Sequence, residues 1–181
     1  MAQVAKIIAA RDELQAERDV FFTNLGAFDK HNYPLPESKL GQVEDAIAPF
    51  VAEMKHLGVW DNVTVIVASE FGRTLTSNGK GTDHGWGGHA HIMGGGINGS
   101  RILGKYPETL GTNHELSAGR GRVIPTTSWE SVWHAVAGWF GLHESLMEAV
   151  LPNVNNFACD DRPGCGLLRA EQLYKARVLT A

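Results

Sequence analysis

The segment from Val63 to Gly104, VTVIVASEFGRTLTSNGKGTDHGWGGHAHIMGGGINGSRILG, constrains this chain more than any other. It opens with an apolar, β-branched run, Val63 to Ala68, that reads as a buried strand. It then breaks into a glycine-dense loop holding Glu70, Arg73, Asp83, His84, His89 and His91. Glycine loses more backbone entropy on folding than any other residue, so such a loop needs unusual φ values or a close approach of backbone to something. Carboxylates and imidazoles just past the C-terminal end of a parallel strand lie where α/β folds keep their sites. A metal site is the leading reading; a glycine-rich surface loop with incidental histidines is the plain alternative.

Upstream, the N-terminal MAQVAKIIAARDELQAERD reads as an amphipathic helix with Val4, Ile7, Ile8 and Leu14 on one face. DVFFTNLGAFD, from Asp19, reads as a strand ending in Asp29, Lys30, His31 and Asn32. Leu40, Val43, Ile47, Phe50, Val51, Met54 and Leu57 fall at helical spacing, which predicts a helix from about Glu37 to Leu57, ended by Gly58. Strand, helix, strand, with each strand nearly continuous in apolar residues, predicts an α/β fold: a parallel sheet, mixed at its edge, flanked by helices. Further on, HIMGGGI and SRILGKY could hold short strands. Thr126, Thr127 or Ser128 is placed to cap a helix from Trp129 to Phe140. Its stripe of Trp129, Val132, Trp133, Val136 and Phe140 is expected to face the core, leaving His134 partly exposed. HESLMEAVL reads as a short helix, and another weak one is expected near Ala170 to Val178.

A chain of 181 residues suffices for one domain, here taken as residues 1–158 followed by a tail, 159–181. A net charge of −4 gives no electrostatic case for nucleic acid or an anionic membrane. No apolar run approaches the roughly 20 residues that span a bilayer, and the N-terminus lacks the order of a signal peptide. Cys159 and Cys165 flank a Pro-Gly turn; a disulfide and two free thiols are both open readings, and a zinc site is disfavoured by the spacing.

Three clusters carry the chemistry. Asp29 and His31, two residues apart in an extended segment, can point the same way and reach one ion, or can simply sit beside a surface turn. Glu70 follows a buried strand as a candidate metal ligand or general base, with Arg73 as an anion clamp; an ion pair between them is the alternative. Asp83, His84, His89 and His91 put three histidines and an aspartate into nine residues. Asp83 is placed to orient His84 by hydrogen bond. His89 and His91 are a candidate ligand pair or strand residues, and Trp86 lines a substrate pocket or anchors the loop. Asp29, His31, Glu70 and His84 together make a mixed nitrogen and oxygen set that suits Zn²⁺ or Mn²⁺.

FFTNLGAFDKH, then TVIVASEFGRTLTSNGKGTDHGWGGHAHIMGGGINGSRILGKYP, then RVIPTTSWESVWHAVAGWFGL, resembles the bacterial family called domain of unknown function 1501 up to about Phe157. That family looks like a branch of the alkaline phosphatase and sulfatase superfamily, and the resemblance implies an alkaline phosphatase-like α/β fold. The superfamily holds one metal with an Asp, a His a few residues later and a distant His; Asp29, His31 and His84 resemble those three. Its second metal takes an adjacent Asp-His pair, where this chain has Glu70 and Phe71, and Phe71 cannot ligate. Superfamily members carry a nucleophile and a further ligand on earlier strands, so the chain is expected to be the C-terminal part of such a protein.

The resemblance thus implies a metal-dependent hydrolase of phosphate or sulfate esters, on a small molecule or a polymer, inactive without its nucleophile half. Glu70 and Arg73 would serve catalysis, and Asp83, Trp86, His89 and His91 would support the ligands or the substrate. The alternative is a non-catalytic exported or surface protein that keeps the scaffold. A missing N-terminal half, or self-association, is the expected partner. Periplasmic or exported placement follows from the resemblance alone, the export signal being absent here; otherwise the chain is cytoplasmic.

Overall fold

In the computed structural model, residues 1–111, 114–158 and 166–176 are described. Cys159 and Cys165 lie outside them, as does the last part of the helix expected to reach Val178. The chain forms two compact units, one of residues 1–63 and 77–83, the other of 64–76 and the residues beyond 83.

The first unit is helical. α1 spans Ala2–Ala9 and α2 Arg11–Leu14, separated by a break at Ala10 and ended by Gln15 at φ 53°. α3, Glu37–His56, is the long helix that the apolar spacing predicts, and Gly58 follows it at φ 68°, a left-handed position that glycine takes without a Cβ penalty. α1 packs on α3, whose Phe50 and Met54, one turn apart, are buried.

The expected strand from Asp19 to Asp29 does not form: no residue from 19 to 30 pairs in a sheet, and Val20 and Phe22 are 84% and 91% exposed. Its apolar composition suits a strand, but a strand exists only where another backbone supplies a ladder, and none pairs along residues 19–29.

The second unit contains β1, Val65–Val67, inside the predicted run. Two further strands follow before its partner: β2, Arg73–Ser77, and β3, Thr82–His84, pair with each other. A four-residue connection permits only an antiparallel hairpin, and through it the chain passes between the units. β1 itself pairs with β4, His91–Met93, antiparallel, in the register Val65↔Met93, Ile66↔Ile92 and Val67↔His91. The parallel sheet read from the sequence is therefore corrected: the described residues hold two antiparallel two-stranded sheets and no parallel core. Val65–Val67 is only half-buried, and the direction of the partner strand is a long-range choice that apolar continuity does not encode. SRILGKY forms no strand.

α4, Trp129–Phe140, has the predicted bounds. Ser128 caps it by accepting the Ser131 N–H, and Gly141 ends it at φ 100°. Its facing is the predicted one only in part: Val136 packs against the core. Ser131, His134 and Ala135 are buried, while Trp129 and Trp133, 6.0 Å apart, stay more than a third exposed. The reason is what packs there: α6, Ala170–Leu173, lies against the face carrying Ala135, Gly138 and Trp139, and small residues let it approach. Between them the chain makes a 3-10 turn, Glu144–Leu146, and α5, Met147–Val150. Ile97, Ala135, Leu173 and Tyr174 form the core, with the Trp139 and Tyr174 rings stacked at 4.6 Å.

Candidate metal centre

Asp29 and His31 sit in irregular backbone between the unpaired apolar segment and α3. What holds them is the tip of the β2–β3 hairpin. Asn78 Oδ1 accepts the N–H groups of Lys80 and Gly81, and Gly79 takes φ 94°. An Asn-Gly pair between extended runs is a strong hairpin signal. Asn78-Gly79 carries that signal in the sequence itself.

The turn is built against the Asp29–His31 segment. Thr82 N–H donates to Lys30 O (3.1 Å), and Asn78 Nδ2 donates to His31 O (3.0 Å). A Cβ on Gly81 would overlap Lys30 O and stand 2.9 Å from the His31 carbonyl carbon, so only glycine admits this approach. Asn78 Nδ2 also donates to Asp83 Oδ1 (2.9 Å) and so fixes the carboxylate that meets His31.

The imidazole of His31 lies between two carboxylates. Its Nδ1 is 3.0 Å from Asp83 Oδ1 and its Nε2 is 3.0 Å from Asp29 Oδ1. The doubly protonated ring donates at both ends; the neutral ring with its hydrogen on Nδ1 donates to Asp83 and turns a lone pair at Nε2 toward Asp29. That second form is a ligand nitrogen beside a ligand oxygen, with a carboxylate fixing the tautomer from behind. The sequence pointed from Asp83 to His84; the structure adds a contact of Asp83 with the imidazole of His31. Asp29, His31 and Asp83 thus come together within one unit.

The other candidate residues belong to the second unit. Ser69 Oγ donates to Glu70 Oε2 (2.8 Å) just after β1, and Arg73 opens β2. Phe71 packs its ring 4.3 Å from that of His84, which follows Asp83 directly in the chain. Gly72 N–H donates to Trp86 O, Gly85 N–H to Gly72 O and Gly87 N–H to Val123 O, at 2.7–2.9 Å. A Cβ on Gly72 would overlap Gly87 O, so here the glycines pack backbone against backbone. Trp86 itself is 58% exposed. His89 and His91 are exposed with ring centres 5.6 Å apart.

His134, expected to be partly exposed, is buried instead. Its Nδ1 is 2.8 Å from Leu168 O and its Nε2 3.2 Å from Glu144 Oε1. A stripe drawn from apolar residues alone assigns a histidine to the wet face, and two acceptors from distant segments reverse that.

The profile of the family described as Protein of unknown function (DUF1501) matches residues 1–122, which takes in Asp29, His31, Asn78, Asp83 and the whole glycine-histidine block. The chain belongs to the DUF1501 family. The match ends before α4, so the RVIPTTSWESVWHAVAGWFGL stretch from Arg122 onward lies almost wholly outside it. Neither a curated protein nor a solved structure matches the chain.

Proposed function

We propose that this DUF1501 protein is metal-dependent and acts on phosphate or sulfate esters, as the superfamily resemblance of its sequence suggests. The observation that carries the reading is the His31 imidazole held from behind by Asp83 with Asp29 at its other nitrogen. Side-chain carboxylate and imidazole converging in this way fit a borderline divalent ion, Zn²⁺ or Mn²⁺. The ligands that the resemblance implies are Asp29, His31 and His84, with Glu70 as a further ligand or base.

When bound, a divalent ion would supply Lewis acidity for the hydrolysis of an ester. The chain's own part begins at His31, where Asp83 accepts a hydrogen bond from Nδ1–H and leaves the Nε2 lone pair on the side of Asp29. Asn78 holds Asp83 in place, and Gly81 lets the hairpin tip press on the backbone of residues 30 and 31. In this reading Arg73 contacts the anionic ester through its planar donor array, Glu70 is the base that accepts a proton from the attacking water, and Trp86 lines the approach. The superfamily resemblance also suggests a periplasmic or exported protein.

One observation favours a second reading, a non-catalytic exported or surface protein that retains the scaffold. Phe71 occupies the position after Glu70 where the superfamily keeps a second ligand, and its ring packs on His84. The two readings part on one experiment. Metal content after Zn²⁺ or Mn²⁺ loading is measured for the wild type, His31→Ala and His84→Ala, and hydrolysis of aryl phosphate and sulfate esters is measured for each together with the nucleophile half that the resemblance implies. The enzyme reading expects one ion per chain and ester turnover, both lost in the variants. Bound metal without turnover of either ester favours the scaffold reading, and no bound metal in a folded wild type removes the metal centre.

A further inference from the structure

We propose that His89 and His91 form a second metal site, a solvent-facing pair of imidazoles for late first-row divalent ions such as Ni²⁺, Cu²⁺ or Zn²⁺. His91 begins β4, and its pairing with Val67 of β1 fixes the backbone beneath it. In extended chain, residues i and i+2 project to the same side, which brings His89 beside it. The ring centres are 5.6 Å apart with the planes at 87°. Two imidazoles that share one ion at roughly 2.0–2.1 Å from each nitrogen have ring centres about 5–6 Å apart, so the pair needs little movement to chelate.

Both side chains are exposed, and among the described residues no hydrogen bond ties either ring to the protein. No Asp, Glu, Cys or third His completes a ligand group with them there. Two nitrogen donors with water filling the remaining positions rank ions in the order of imidazole affinity, Cu²⁺ and Ni²⁺ above Mn²⁺. The Asp29 and His31 pair, which offers an oxygen donor, accepts Mn²⁺ on better terms. The two sites therefore differ in ion preference, and the inference stands apart from the proposed function.

The test uses the 181-residue chain carrying His31→Gln, which disables the first centre. It is titrated with Ni²⁺ alone by calorimetry, and with Zn²⁺ while the His89 and His91 ring resonances are followed by NMR. The expected result is about one Ni²⁺ per chain and shifts at both rings. Adding His89→Gln or His91→Gln should weaken binding about 100-fold, the loss expected when two-point attachment becomes one-point. The inference is overturned if the doubly substituted His89→Gln/His91→Gln chain binds Ni²⁺ as its parent does, or if neither ring resonance moves with Zn²⁺. The NMR measurement needs no substitution at the pair, so it also guards against a variant that fails to fold.

Discussion

His31 and Asp83, 52 residues apart in the chain, meet at 3.0 Å between Nδ1 and Oδ1. If this contact fixes the ligating tautomer, Asp83→Asn weakens Zn²⁺ affinity about 10–100-fold, the usual effect of losing a carboxylate behind a metal-bound histidine. The thermal midpoint should hold, because Asp83 is a half-exposed group on a hairpin. Unchanged affinity in a calorimetric titration would show that Asp83 does not position His31.

Gly81→Ala should cost about 2 kcal/mol or more, because its Cβ meets the backbone of residues 30 and 31 rather than a side chain that could turn away. Gly41, inside α3, has nothing within 4 Å of a Cβ, and Gly41→Ala should stabilise by about 0.5–1 kcal/mol. Denaturant midpoints of the two variants should move in opposite directions. A neutral Gly81→Ala would mean that the hairpin tip does not bear on the Asp29–His31 segment.

Ser128→Ala removes the acceptor of the Ser131 N–H and should lower stability by about 1 kcal/mol, with Ser128→Asp retaining most of it. Circular dichroism melts of the pair against wild type would decide whether the cap, rather than the hydroxyl's bulk, matters.

Burial raises the pKa of Tyr174 above its ordinary 10.0, partly offset by the hydrogen bond from Thr64 Oγ1. Between the unfolded and the raised folded value the native state holds more protons. Stability from this group is therefore complete below pH 10 and lost as pH rises through the folded value. Wild type should lose stability above pH 10 more steeply than Tyr174→Phe, in urea titrations run at several pH values. Parallel curves would refute the link.

Helices were legible because their signals are local. The apolar spacing of 40–57 and of 129–140 set α3 and α4 within a residue or two, since each turn's hydrogen bonds close inside the same segment. The residue types of the candidate centre were legible too, because Asp29, His31, Asp83 and His84 stand out by chemistry alone. Which of them meet was not. Asp83 reaches His31 because a hairpin turn built on Asn78-Gly79 folds onto a segment about fifty residues upstream, a pairing that no window of sequence contains. The same holds for the strands: Val65–Val67 advertised burial, but only tertiary structure chose an antiparallel partner for it and none for Val20–Leu25. Helical propensity is settled among neighbours, whereas a ladder or a carboxylate–imidazole contact requires a second segment to arrive, and its arrival is decided by the packing of the whole.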